Sequence, residues 1–260
     1  MSGFFSALST TLDPLCGPVG IFSLFGAGSL VACGDAGWGD EIAAGVRMTI
    51  SLAIVTLPVG LIIGFLIALA AQSEDKLLRL AAGIYTTIFR GLPELLTLFL
   101  IYYGLQILIQ ALLSWMGYEE RIEINAFVAG VTALSVVFSS YSSEVLLSAF
   151  RAIPRGQYEA GDALGLRRWR TMRLVVMPQL IRIALPGLTN LWLILLKDTS
   201  YASAIGLAEI LRQTGIAARV SKEAFFFYGI ACLLYLILAT LSSVGLGFLE
   251  RNVRRSEGRR

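Results

Sequence analysis

The sequence predicts an all-α polytopic membrane protein with five transmembrane helices. Three observations carry that prediction. Hydrophobic residues make up 56% of the 260 and charged ones 15%, with mean hydropathy +0.74, where a soluble domain has about 45–50% and about 25%. Four runs hold no Asp, Glu, Lys or Arg, and each reaches the roughly 20 residues that a helix needs to cross the hydrocarbon core. Lys and Arg crowd onto alternate connections between those runs, as the positive-inside rule requires.

In chain order, residues 1–40 read as an extracytoplasmic or interfacial segment. The first 46 residues contain no Lys or Arg, so the basic start of a secretory signal is missing. Residues 14–34 are uncharged, but Pro14, Pro18 and five glycines make them an interfacial or loosely inserted stretch rather than a clean helix. Cys16 and Cys33 are expected as unpaired small hydrophobes on the outer face, although a disulfide could form there in an oxidising compartment. The first span is Met48–Ser73, in which Pro58, Gly60 and Gly64 allow either a helix break or close helix packing.

A cytoplasmic connection with Lys76, Arg79 and Arg90 follows, then the spans Leu95–Tyr118 and Ile124–Ser143. Next comes a long basic loop, 151–182, with Arg151, Arg155, Arg167, Arg168, Arg170, Arg173 and Arg182. The fourth span, Ile183–Ala208, is apolar except for Lys197 and Asp198. The fifth is Ala224–Leu249, with Cys232 as apolar packing, and 251–260 is a basic cytoplasmic tail. Fifteen of the 21 basic residues then lie on one side, which puts the C-terminus in the cytoplasm and the N-terminus outside. Residues 41–250 form the transmembrane domain.

Composition also excludes chemistry. With no histidine there is no imidazole base or imidazole metal ligand, and three cysteines cannot form a thiolate cluster. The net charge of +3 is the positive-inside surplus and calls for no nucleic acid. Gly37-Trp38-Gly39-Asp40 fits an intramembrane aspartyl protease motif, yet it sits in a polar outer segment without a second aspartate to pair with. No Gly-x-x-x-x-Gly-Lys-Ser/Thr loop occurs, so the chain carries no phosphate loop for ATP.

The basic loop carries the strongest motif. Helix formers run up to Gly165, a residue suited to the left-handed position that closes a helix, and a second helix can run from about Arg168 until Pro178 ends or kinks it. Two short helices joined at a glycine make a knob outside the bilayer. Glu159-Ala160-Gly161, three residues, Gly165, nine residues, then Val175-Val176-Met177-Pro178 resembles the EAA loop of ATP-binding-cassette importer permeases. Three more stretches resemble the polar-amino-acid branch of that family, the histidine/arginine/octopine type. They are Arg90-Gly91-Leu92-Pro93-Glu94-Leu95 before Tyr102-Tyr103, Ile153-Pro154-Arg155-Gly156-Gln157-Tyr158-Glu159-Ala160, and Lys197-Asp198-Thr199-Ser200. Departures are mild: Gly161 for Ala, Val175 for Ile, Met177 for Leu.

The resemblance implies a type I ABC importer permease fold with a cytoplasmic coupling loop, in a bacterial inner membrane. It implies an ABC ATPase subunit that binds the ATP and Mg, a second permease, identical or homologous, and a periplasmic solute-binding protein. Glu159, Ala160, Leu164 and Leu166 would line the ATPase contact, Gly165 would permit the bend, and Gly165→Asp would crowd it. The branch leans toward cationic amino acids or opines as cargo. An ion-gradient-driven carrier is the rival reading, but such carriers typically show internal repeats, and none stands out.

Charges inside a bilayer are costly and usually functional. Glu94, just past Pro93, and Glu144, closing the third span, can line a path for a cationic substrate or pair with Arg90 or Arg151. Lys197 and Asp198, at mid-span, are expected in a structural or gating ion pair, with other groups rather than each other. Tyr102 and Tyr103 are candidates for the pathway or the core.

Overall fold

In the computed structural model the described residues are 16, 29–34, 37–117 and 124–255, with side chains described to 252. The path of residues 14–34 across or along the membrane therefore lies largely outside them. Among the described residues the secondary structure is helical, and five helical stretches are long and apolar enough to cross a membrane.

Helix α1, Gly39–Ala71, runs through Pro58 without a break. Its partner is α4, Ala126–Ala152, the most buried of the five. A β-carbon at Gly60 would lie 2.6 Å from Phe138 Cδ1, and one at Gly64 would collide with Ser142 Oγ. Close packing, not a break, therefore accounts for both glycines. The hydroxyl of Ser135 reaches the carbonyl of Thr56 at 3.4 Å, so even the polar groups of α4 are used against α1.

The chain between the first two spans is not a simple connection. It forms α2, Lys76–Gly91, with Asp75 capping its start by accepting from the Leu77 N–H at 2.8 Å. Lys76, Arg79 and Arg90 hid this helix by lowering its hydropathy, while its apolar positions repeat helically at Leu77, Leu80, Ile84 and Ile88. Arg79 shares a cavity with Arg151 near the end of α4, and the Tyr85 hydroxyl meets Ser139 Oγ, halfway along α4, at 2.7 Å. Thus α2 climbs the half of the α1–α4 pair that contains Arg151, and α3, Glu94–Trp115, starts partway through the bundle rather than at its face.

Helix α4 extends past Ser143 to Ala152, so Glu144 and Arg151 lie within it. The knob follows as α5, Arg155–Ala163, and α6, Arg168–Thr171. Pro178 does not end the second helix. A π-turn, Met172–Val176, sits just before it and re-spaces the hydrogen bonds where the proline ring would meet a carbonyl, and α7 continues as Met177–Asp198. A 3₁₀ turn, Thr199–Ile205, then leads to α8, Ile210–Ser221, and to the last span, α9, Ala224–Arg255.

Apolar side chains fill the bundle in layers. Leu52, Leu98, Leu134, Phe138, Leu191 and Leu195 pack its middle, while Ala68, Phe150, Ile153, Val176 and Leu180 seal the end that bears the knob. At the opposite end Val31, Ile42, Ala218 and Phe227 pack with Cys16, Cys33 and Trp38. There Cys16 and Cys33 form a disulfide, contrary to the expectation of free thiols. The turn at 29–34 brings the two Cα atoms to 5.8 Å, within disulfide range. Cys232 is free and exposed on α9 rather than packed inside.

Candidate functional site

The knob is built as its spacing predicts. Helix α5 ends in a Schellman closure: Leu166 N–H donates to the Gly161 carbonyl and Gly165 N–H to the Asp162 carbonyl, both at 3.0 Å. This geometry needs a left-handed residue, and Gly165 supplies it at φ +70°. Among the described residues nothing beyond its chain neighbours lies within 4 Å of where its side chain would begin, so an aspartate there would not crowd the bend as expected; its penalties are backbone strain and the added charge. Glu159, Ala160 and Leu164 are exposed, Leu166 is half-buried, and Gly161 is buried against Thr171. Gln179 Nε2 donates to Gln157 Oε1 at 3.1 Å and to the Val175 carbonyl, tying α5 to the π-turn and the base of α7 next to Pro178. The knob thus offers an outward face on a base locked to a membrane helix.

Within the bundle the structure regroups the predicted charges. Glu94 and Asp198 line one narrow cavity with Tyr141, Phe138 and Leu195. At about 20 Å³ it has room for about one water, so in this conformation the site is closed to an amino acid. Counting along the sequence had put Asp198 at the middle of the fourth span and Glu94 near the cytoplasmic entry of the second. They meet because α2 uses up the knob-end half of the second crossing, while the fourth helical stretch starts at Arg168, well before Ile183. Pro93 is the residue before the first turn of α3, with extended φ −58° and ψ 132°, and so sets the corner that delivers Glu94.

Glu144 takes the paired arrangement. Its carboxylate lies 3.4 Å from Arg90, whose guanidinium also sits over the Tyr141 ring at 5.8 Å. Lys197 and Asp198 diverge as adjacent helical residues must. Lys197 faces a cleft with Ser200, Tyr228 and Tyr235. The expected ion pair is absent, however: neither Lys197 nor Asp198 has an opposite charge within 4 Å among the described residues. Two carboxylates face one cavity instead. Tyr102 and Tyr103 stand apart from them, lining an open cleft of about 680 Å³ with Gln106, Gln110 and Ser114 farther along α3.

One polar residue was missed as a structural centre. Glu209 is fully buried and caps α8, accepting from the Leu211 and Arg212 N–H groups at 2.8 Å each and from the Tyr235 hydroxyl at 2.7 Å. Burial pushes its carboxyl above the ordinary range, and these donors pull part of the way back. An acidic residue just ahead of a short helix was a readable cap; its burial was not.

Comparison with known proteins decides the family. Residues 60–255 match the binding-protein-dependent transport system inner membrane component family. The chain belongs to it. Relatives include the nopaline transport system permease NocQ of Agrobacterium fabrum, 42% identical over 87% of this chain and 97% of that protein. The arginine ABC transporter permease ArtQ of Haemophilus influenzae is 39% identical over 81% and 92%. The histidine/lysine/arginine/ornithine permease HisQ of Escherichia coli is 36% identical over 83% and 94%. Among solved structures, an amino acid ABC transporter crystallised with histidines superposes with TM-score 0.69 at 33% identity, over 82% of this chain and 94% of that one. A methionine ABC transporter, at 18% identity and TM-score 0.66, shares the fold. The protein is a multi-pass membrane component of an ABC transporter, its permease subunit.

Proposed function

We propose that this permease forms the pathway for importing cationic amino acids or opines, with Glu94 and Asp198 holding the cationic end of the cargo. The observation that carries this reading is the pair itself: two carboxylates share one intramembrane cavity with no cation within 4 Å among the described residues, while Arg90 is engaged by Glu144. A carboxylate pair is costly to hold in a low-dielectric interior, and a guanidinium or ammonium group relieves that cost. The nopaline, arginine and histidine/lysine/arginine/ornithine permeases among its relatives support the same chemical class. Tyr102 and Tyr103 then belong to the wider approach along α3.

Drive comes from a separate ABC ATPase that binds ATP and Mg and seats Glu159, Ala160, Leu164 and Leu166 of the knob on its surface. In this arrangement the knob is cytoplasmic, the C-terminus lies inside and the N-terminus outside. A second permease and a periplasmic solute-binding protein complete the importer. Closure of the ATPases draws the knobs together, and the rigid base at Gln157 and Gln179 passes the motion to α7.

The test is uptake by proteoliposomes holding the permease, its ATPase and its binding protein. Glu94→Gln and Asp198→Asn should each cut arginine uptake at least about tenfold, the worth of one charge-assisted contact, while ATPase assembly is unchanged. Unaltered arginine uptake in both variants would overturn the assignment.

A further inference from the structure

Where α1, α2 and α4 converge beside Glu144 there is a second polar cavity, of about 170 Å³, to which the proposed pathway assigns no role. Arg79 of α2 and Arg151 of α4 line it, with Ile67 and Leu147 as apolar walls. Both arginines are exposed and neither has a carboxylate within 4 Å among the described residues. Glu144 also borders the cavity, but Arg90 already neutralises it at 3.4 Å, so the surplus charge is positive. The Thr86 and Ser143 hydroxyls there donate to the Gly83 and Ser140 carbonyls, which leaves the two guanidiniums as the anion donors.

Depth and surroundings narrow the anion. Arg79 lies one turn into α2 and Arg151 one residue from the end of α4, both at the knob end of the bundle, where a bilayer carries its headgroups. Beside them Leu77, Leu80 and Ile84 form an outward apolar stripe on a helix too short to span. A cavity of this size holds several waters at about 30 Å³ each, and so a phosphodiester. A basic pocket between helices at headgroup depth, flanked by an apolar stripe, has the make-up of a site for an acidic lipid.

We propose that Arg79 and Arg151 bind the phosphate of an anionic glycerophospholipid in the cytoplasmic leaflet, with its acyl chains along Leu77, Leu80 and Ile84. Only the choice of leaflet rests on the proposed orientation. The test uses the permease–ATPase complex in nanodiscs of equal dioleoyl-phosphatidylglycerol and dioleoyl-phosphatidylcholine, with retained lipid read by native mass spectrometry. Wild type should keep the phosphatidylglycerol in preference to the phosphatidylcholine. Arg79→Gln/Arg151→Gln should keep it about thirtyfold less well, with ATPase co-purification and melting temperature as checks on folding. Inorganic phosphate at millimolar concentration should not displace it.

Equal retention of both lipids by wild type, a reading that needs no variant, would overturn the proposal. So would unchanged retention in the folded double variant. Displacement by inorganic phosphate would assign the cavity to a soluble anion instead. Arginine-stimulated ATPase activity of the same sample reads the transport assignment separately, so either idea can fail alone.

Discussion

Gly161 and Thr171 face each other across the two helices of the knob so closely that a β-carbon on Gly161 would stand 2.5 Å from Thr171 Cγ2 and 2.6 Å from its Oγ1. Thr171 is itself buried, and its hydroxyl has no hydrogen-bond partner among the described residues. The pair explains why glycine stands where the EAA pattern has alanine: the larger side chain is on the other helix.

Restoring the alanine should therefore harm this chain. Gly161→Ala is expected to cost about 1–3 kcal/mol, the usual range for overpacking, seen as a lower melting temperature and weaker ATPase co-purification. Thr171→Ala should be close to neutral, since it removes an unsatisfied hydroxyl. The double variant should recover most of the loss, and a double-mutant cycle reads the coupling.

Gly165 carries a different penalty. With open space around it, substitutions should rank by their tolerance of the left-handed conformation rather than by size. Asparagine should be mildest, and alanine should cost about 1 kcal/mol. Melting temperatures of the assembled transporter check the order; an alanine variant as stable as wild type would show that the closure does not constrain the knob.

Glu209 should give stability a pH dependence. Its folded-state carboxyl titrates above its unfolded one because burial outweighs the donors. Its contribution is thus fully present below the unfolded value of about 4.3 and is lost as pH rises through the raised folded value. Glu209→Gln should flatten the melting curve across that interval, at an overall cost of about 0.5–2 kcal/mol from the weakened cap. Scanning fluorimetry from pH 4 upward separates the two slopes.

The disulfide should be measurable as a staple. Cys16 and Cys33 are 17 residues apart, and a loop of that size is worth about 3 kcal/mol on chain-entropy grounds. A reductant should lower the melting temperature of wild type and leave Cys16→Ser/Cys33→Ser, already lowered, unmoved.

What the sequence disclosed depended on whether the physics was local. Four charge-free runs and a fifth broken only by Lys197 and Asp198 marked the five spans, because bilayer crossing depends on composition. The knob was legible because a glycine at a fixed distance from Glu159 marks a helix end. Helix α2 was not, since three basic residues lowered its hydropathy below that of a span although its apolar positions repeat helically. The meeting of Glu94 with Asp198 was hidden for the same reason, because depth counted along the chain fails once a half-crossing helix intervenes. Pairing of Cys16 with Cys33 needed a Cα separation that no spacing supplies.

The tight seam between α1 and α4 decides which parts of the bundle can move. Glycines at 60 and 64 let the two backbones interlock with Phe138 and Ser142, so sliding one past the other would force side chains through main chain. The pair is an axle. Helices α3 and α9, each with about a tenth of its apolar window buried, against 61% for α4, are held far more loosely to it. Motion that opens the Glu94–Asp198 cavity should therefore be borne by α3, hinged at Pro93, turning about a spindle that keeps its shape.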